Sequence, residues 1–533
     1  MRIISEKGEF DMPASFQIAV KRQNICLGDA VEKSFDIDLP ATAHNLNLCG
    51  FSDRVDNYYK PVSTLPVIID FSSSSENANL SIKSISEGLI DATVYLRTAD
   101  FYSQIENKNL RSLNWKKIRH PNYYTNNLDT NVQYLIDIIK QNAKNVTVNF
   151  FDKHFQHEFI NVPLITGVEF KSKFNINYPL VINQYGTSAT GIGNNIYILD
   201  SFYGYKEQTL TDSDNNIITY TKGFGITPFL KLSYVLKFIF SEHGFILDDS
   251  AFLRLQERYA DIYILNNTVD AIYGGSLDYS QLLPDVTVKE FLQAVCKRYA
   301  GRFVIDTITR TAQFVFFYTI FQDKFDADLS HLITSRPFIT DVEFKRMVIT
   351  SNMLNYINPD TSDADVIDIN VITRDYFLLS LINYISVNIW SPKIEEINYM
   401  NNYLVVDGLV VEENKKSFSE ILFFKKELLD EKNTTNNITV WFMRGNFDLI
   451  DMTETSQLYD EYFRFRQHSN IQVSTRMKLS FHEIEQLQMH RKKLIHGQEY
   501  LIEEIDYIVS GEKNTIEGDV EVKLRTVRNY IDR

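Results

Sequence analysis

The sequence predicts a β-rich α+β protein of several modules, and three observations carry that expectation. Apolar and polar residues alternate through much of the first hundred residues, the period-two mark of half-buried strands. An apolar helix, a glycine and a strand occur together twice, at Thr227–Ser250 and at Thr287–Asp306. Thirty-seven Phe and thirty Tyr, with plentiful Ile and Val, suit pleated surfaces better than a helical bundle.

In chain order, Phe16, Ile18 and Val20 alternate with polar neighbours, and Phe35, Ile37 and Leu39 do the same before Pro40. Pro66–Phe71 (PVIIDF) reads as a strand covered on both faces, running into SSSSENAN as a polar loop. A further strand follows Gly88, and FYSQIENKNLRSL holds a short helix. In LDTNVQYLIDIIKQNAKN, Val132, Leu135, Ile136 and Ile139 make one helical stripe that Asp129 or Thr130 can cap, after which VTVNFF returns to alternation. Strand candidates fill the span from Glu158 to Gly223.

The two helix-to-strand units come next. In the second, Val288, Phe291, Leu292, Val295, Cys296 and Tyr299 form the apolar stripe, and Thr287 and Glu290 have capping-box spacing. Gly244 and Gly301 are expected to stop the helices in left-handed conformations, with RFVID and QFVFFY then pairing. Later strands are expected at NYLVVDGLVV and ITVWFMRG. The tail reads as a short helix in LSFHEIEQLQMHR, a hairpin turning at His496–Gln498, and a last strand in EVKLRTV.

Composition narrows the function. A formal charge of −15, from 69 acidic and 54 basic residues, gives no general attraction for phosphate backbones. The densest basic runs, Arg491–Lys493 and Trp115–His120, are short and read as solvated faces. Cys26, Cys49 and Cys296 are too few for a disulfide framework, so folding in a reducing compartment is expected, and Cys296 belongs to the buried stripe of its helix. The opening lacks the apolar core of a secretory signal, and no run approaches the ~20 apolar residues of a membrane span.

Candidate motifs fail at the residues their chemistry requires. Gly186–Gly193 (GTSATGIG) has phosphate-loop glycines, but Ile192 and Gly193 stand where Lys and Ser or Thr belong, and a strand follows instead of a helix. Ser188 in the same stretch misses the nucleophile-elbow spacing by one residue. His154 and His157 are three apart, with Glu158 after them, so they lack the shared helix face of a zinc protease. Asp212, Asp214 and Asn216 begin like a calcium loop, but Ile217 and Gly223 occupy the positions of its glycine and bidentate glutamate; a hairpin tip is expected. Asp323, Asp326 and Asp328 read as a solvated loop. No catalytic, cofactor-binding or metal-ligating residue is therefore assigned, and no enzyme activity or cofactor is expected. Sixty-nine acidic residues still leave a glycosidase pair possible in principle, although nothing singles one out.

Phe35–Phe51, Phe101–Leu113, the two helix-glycine-strand units, Lys493–Ser510 and Glu521–Tyr530 together resemble baseplate-hub or tail-tip proteins of tailed bacteriophages, of the kind found in Bacteroidetes phages and prophages. The resemblance implies a homotrimeric virion protein with two tube-like β-barrel domains per chain and smaller αβ packing domains, so that three chains mimic a six-fold ring. It implies a hub joining the tail tube to a central spike or tip among other baseplate proteins, with DNA as passing cargo, assembled in the bacterial host cytoplasm. The corresponding division is 1–105, an N-terminal tube-like β-domain; 106–222, a mixed segment with hairpins; 223–334, the αβ repeat region; 335–470, a β-rich middle; and 471–533, strands completing a β-domain. The acidic balance leads to an expected lumen richer in Asp and Glu than in Lys and Arg. A receptor- or glycan-binding tail protein, a tail-associated cell-wall or polysaccharide hydrolase, and the hub of a related injection machine are the alternatives.

Overall fold

The structure is a computed structural model that describes residues 2–13, 17–27, 33–51, 64–71, 74–86, 88–96, 101, 104–122, 127–148, 158–160, 164–171, 177–182, 185–187, 197–202, 208–211, 217–220, 222–223, 226, 228–253, 262–264, 271–272, 274–306, 309–341, 346–350, 364–368, 404–406, 409–411, 423–435, 438–449, 452–468, 471–510 and 515–527. It is β-rich with helices. The N-terminal part contains β1 (Arg2–Ser5), β2 (Gly8–Glu9), β3 (Gln17–Gln23), β4 (Lys33–Pro40), α1 (Ala43–Leu48), β5 (Thr64–Phe71), β6 (Ser74–Ser86) and β7 (Leu89–Leu96). Next come α2 (Leu128–Val148), α3 (Leu232–Glu242), β8 (Ile246–Asp248), α4 (Val288–Arg298), β9 (Gly301–Asp306), β10 (Thr311–Phe316), α5 (Phe317–Gln322), β11 (Ala327–Asp328) and β12 (Phe338–Asp341). The C-terminal part contains α6 (Met452–His468), β13 (Ile471–Met477), α7 (Phe481–Gln486), β14 (Lys493–Ile495), β15 (Gln498–Ser510), β16 (Thr515–Ile516) and β17 (Val520–Val527).

One sheet of fourteen strands joins the two ends of the chain. Its order is β2-β1-β5-β6-β7-β4-β3-β15-β17-β13-β12, with β14 and β16 also on β15 and β11 parallel to β14. The seam is antiparallel, from Gln17 opposite Ser510 to Gln23 opposite Glu504. Alternation decides which face is buried: Ile18 and Val20, Phe35, Ile37 and Leu39, Val520, Val522 and Leu524 enter one core with Leu48 of α1 and Ile484 of α7. The C-terminal hairpin turns at His496 (φ 48°) and Gly497 (φ 83°), the left-handed pair of a two-residue turn, with Ile495 opposite Gln498.

Two expectations about the first sheet are corrected. Ser74–Asn79 is strand, because it supplies hydrogen-bonding partners to β5, Phe71 lying opposite Ser74 and Pro66 opposite Asn79. Only one face of β5 is covered: Val67 and Ile69 are buried, whereas Ile68 is 44% exposed. Helix α2 is corrected at both ends. Its capping oxygen is Asn127 Oδ1, 3.1 Å from the Thr130 amide, and helix continues through Val146–Val148 where alternation was expected.

The two helix-to-strand units build a single layer. Strand β10 lies between β8, parallel to it, and β9, antiparallel to it, so both units share one three-stranded sheet. Helices α3 and α4 bury Val235, Leu236, Ile239 and Phe240, and Val288, Phe291, Leu292 and Val295, in the same core as Val132, Leu135, Ile136 and Ile139 of α2. The capping box forms, with Glu290 N to Thr287 Oγ1 at 3.1 Å and Thr287 N to Glu290 Oε2 at 2.7 Å. Gly244 is left-handed at φ 76°, as expected. In the second unit that role falls to Ala300 (φ 49°), and Gly301 opens β9; a Cβ there would lie 2.5 Å from both Phe314 Cε1 and Val315 O, so the glycine serves close packing.

Antiparallel hairpins are also described at Leu164–Lys171 with Asn177–Ile182, Leu404–Val406 with Leu409–Val411, and Phe423–Thr435 with Ile438–Leu449. The last two contain the strands expected at NYLVVDGLVV and ITVWFMRG.

Candidate functional site

Tyr185–Thr187 pairs antiparallel with Tyr197–Phe202, so a strand does follow the glycine-rich stretch; Ser188 and Gly193 lie outside the described residues. Gln208–Thr211 pairs with Ile217–Tyr220, the hairpin expected around Asp212, Asp214 and Asn216, which themselves lie outside the described residues, as do His154 and His157. Cys296 is 5% exposed in its apolar cluster, as expected. Among the described residues there is no group of three or more His, Cys, Asp or Glu placed to hold a metal, and no helix long and apolar enough to cross a membrane.

Glu158 does join a local cluster. Its carboxylate accepts from Tyr279 Oη at 2.6 Å and from Lys116 Nζ at 2.9–3.0 Å. Burial, and then the bond to Glu158, drives the Tyr279 phenol far above its ordinary value; Tyr234 beside it, by burial and then the same charge, is pushed up to about 12. Phenols held so firmly protonated are unsuited to proton transfer near neutral pH.

The strongest convergence is a junction between the large sheet and the αβ layer. Cys26, Ala300, Phe317 and Ile320, Tyr459, Tyr462 and Phe465 of α6, and Leu501 and Val527 of the sheet form one cluster. Phe317 stacks on Tyr462 at 4.5 Å, Tyr459 Oη donates to Lys297 O at 2.8 Å, and Arg302 Nε to Ile25 O at 3.3 Å. Here one charge expectation is overturned. Lys492 and Lys493 are buried, Lys492 Nζ meeting Glu499 at 2.7 Å and Phe321 O at 3.1 Å, and Lys493 Nζ meeting Asp326 at 2.5 and 2.6 Å. The basic run is therefore not a simple solvated face, because packing takes Lys492 and Lys493 from water and pairs them; Asp323, Asp326 and Asp328 are exposed, as expected. A cavity of about 140 Å³ opens beside the junction, between β10, α5 and His490–Lys492. It is smaller than the ~300–1,000 Å³ usual for ligand pockets.

The outward face of the large sheet carries charges of both signs, with acid set opposite acid at two places. It presents Asp36 and Asp38 on β4, Asp70 on β5, Asp91 on β7, Glu504 and Asp506 on β15 and Glu521 on β17, with Arg2 on β1, Lys21 on β3, Lys83 on β6, Arg476 on β13 and Lys523 and Arg525 on β17. Asp38 stands directly opposite Asp91, and Asp506 directly opposite Glu521. Facing like charges destabilise a strand pair, so these placements oppose folding. A bulge in β15 sets this face: the register shifts between Ile502 and Glu504, leaving Glu503 extra, so that Ile502 and Ile505 both enter the core and Glu504 and Asp506 turn outward. The doubled Glu503-Glu504, which breaks the alternation of LIEEIDYIV, is the signal for it in the sequence.

No protein-family model matches the chain, and no curated protein matches it. Among solved structures it is similar to the tail protein from Neisseria meningitidis MC58, at 9% identity and a TM-score of 0.27, over 98% of this chain and 95% of that one. A likeness of that degree settles neither fold nor function.

Proposed function

We propose that the chain is a structural protein of a phage-tail-like machine: a homotrimeric hub at the baseplate or tail tip that joins the tail tube to a central spike or tip and walls the path of DNA. The observation that carries this reading is the outward face of the large sheet, where acid is set against acid at Asp38–Asp91 and Asp506–Glu521. A wall of that sign repels phosphate, whereas a basic one would bind DNA by releasing counterions and slow its passage. In this reading the N-terminal and C-terminal strands supply the two tube-like β-domains, and the αβ layer braces them through the buried junction.

Strand β12 fits closure of the ring. All four of its residues are exposed, Phe338 by 69% and Ile339 by 63%, and β13 is its one described strand neighbour. A bare apolar edge of this kind invites uncontrolled strand addition unless another chain covers it. The proposed partners are two further copies, the tube protein, the spike or tip and other baseplate proteins, in the virion tail; no catalysis is assigned.

Light scattering and negative-stain imaging of the purified chain test the proposal. A trimer forming a three-fold ring with an acidic central hole is expected, and Ile339→Lys is expected to reduce it to monomers. A wild-type monomer that cleaves cell-wall material, or one that binds glycans from the periphery of the tail, would overturn it.

A further inference from the structure

The cavity beside the junction differs in charge from the chain around it. Lys324, Arg491 and Lys492 line its 140 Å³ against a single acid, Asp323, in a chain of formal charge −15. Part of its wall is apolar, with Phe316 and Ile320 both buried, and low-dielectric walls concentrate the field of the charges beside them. Lys492 is committed: its Nζ donates to Glu499 Oε2 at 2.7 Å and to Phe321 O at 3.1 Å, while the Asp326 amide donates to Lys492 O at 3.0 Å. These bonds hold the segment that leaves α5 against the one that enters β14, and so bring Asp323 and Lys324 from the first and Arg491 from the second to one cavity. All three are exposed, and no ion pair or side-chain hydrogen bond engages them among the described residues.

We propose that this cavity binds free phosphate, with Arg491 and Lys324 holding its oxygens and Asp323 accepting its O–H, so that the ion ties the αβ layer to the large sheet. The volume admits one small ion and excludes a molecule of ordinary ligand size. Two uncommitted cations favour an anion, and the planar fork of an arginine matches an oxyanion with two parallel donors. The acid then selects among anions. An ionised carboxylate only accepts hydrogen bonds, so it repels an oxyanion that has lost every proton, as sulfate has at neutral pH, and suits one that keeps an O–H, as phosphate does.

Equilibrium dialysis of the full chain against radiolabelled inorganic phosphate at pH 7, with ionic strength held by chloride, tests the site. Saturable binding of one phosphate per chain is expected, with sulfate competing about tenfold more weakly, the factor that one charge-assisted hydrogen bond supplies. Arg491→Gln and Lys324→Gln are each expected to weaken phosphate about tenfold. Asp323→Asn, whose amide can donate, is expected to let sulfate compete as well as phosphate does. Absence of saturable binding to the wild-type chain, or equal competition by sulfate there, would overturn the site whether or not any variant folds. So would undiminished binding in both cation variants.

Discussion

Lys493 Nζ lies 2.5 Å from Asp326 Oδ1, with 1% of the lysine side chain exposed against 21% of the aspartate. The pair joins the segment leaving the αβ layer to the C-terminal hairpin, where Ala327 runs parallel to Lys493. Burial pulls the lysine below its ordinary value even though Asp326 pushes the other way, so desolvation is the larger influence.

The two partners should respond unequally to removal. Asp326→Ala strands a buried ammonium and is expected to cost about 3–5 kcal/mol, whereas Lys493→Met leaves an aspartate that water can reach and should cost clearly less. Urea midpoints of the two variants check this. Equal losses would mean that the lysine head is solvated after all.

At the end of α4 two neighbouring residues predict opposite outcomes. Gly301→Ala drives a Cβ to 2.5 Å from Phe314 and from the Val315 backbone oxygen, where a rotamer change gives no escape, so a loss of about 1–3 kcal/mol is expected. Ala300→Gly relieves a left-handed alanine by about 1 kcal/mol, offset by the lost buried methyl, and should be close to neutral. Thermal unfolding of both variants decides whether Gly301 is needed for space or for its backbone freedom.

That pair also marks what the sequence could convey. The stop after α4 was legible because a glycine follows an amphipathic run, but which residue turns left-handed depends on Phe314, which approaches from across the sheet. Local periodicity likewise placed Val132, Leu135, Ile136 and Ile139 in a core, the Thr287–Glu290 cap, and the hairpin at His496. It failed where distant partners decide: Ser74–Asn79 becomes strand because β5 supplies its hydrogen bonds, and Lys492 and Lys493 are buried by contacts with residues far away in sequence. The acidic balance was visible as composition. The placing of acid opposite acid needed the register of β4 with β7 and the bulge at Glu503.

The facing aspartates Asp38 and Asp91 offer a test in which stability and function part company. If the fold alone mattered, an exposed lysine at position 38 would be an improvement, since it replaces like-charge repulsion with an opposite pair across the strands. Asp38→Lys should therefore raise the unfolding free energy by about 0.5 kcal/mol, within the modest range of exposed pairs. On the proposed channel wall the same change sets a cation in the path of phosphates in every subunit, so DNA release from particles carrying it should slow, most strongly at low salt. Calorimetry of the purified chain and dye-monitored DNA release from assembled particles measure the two effects separately. A more stable chain with unchanged release would remove this face from the channel while leaving the cross-strand repulsion intact as an explanation of the stability gain.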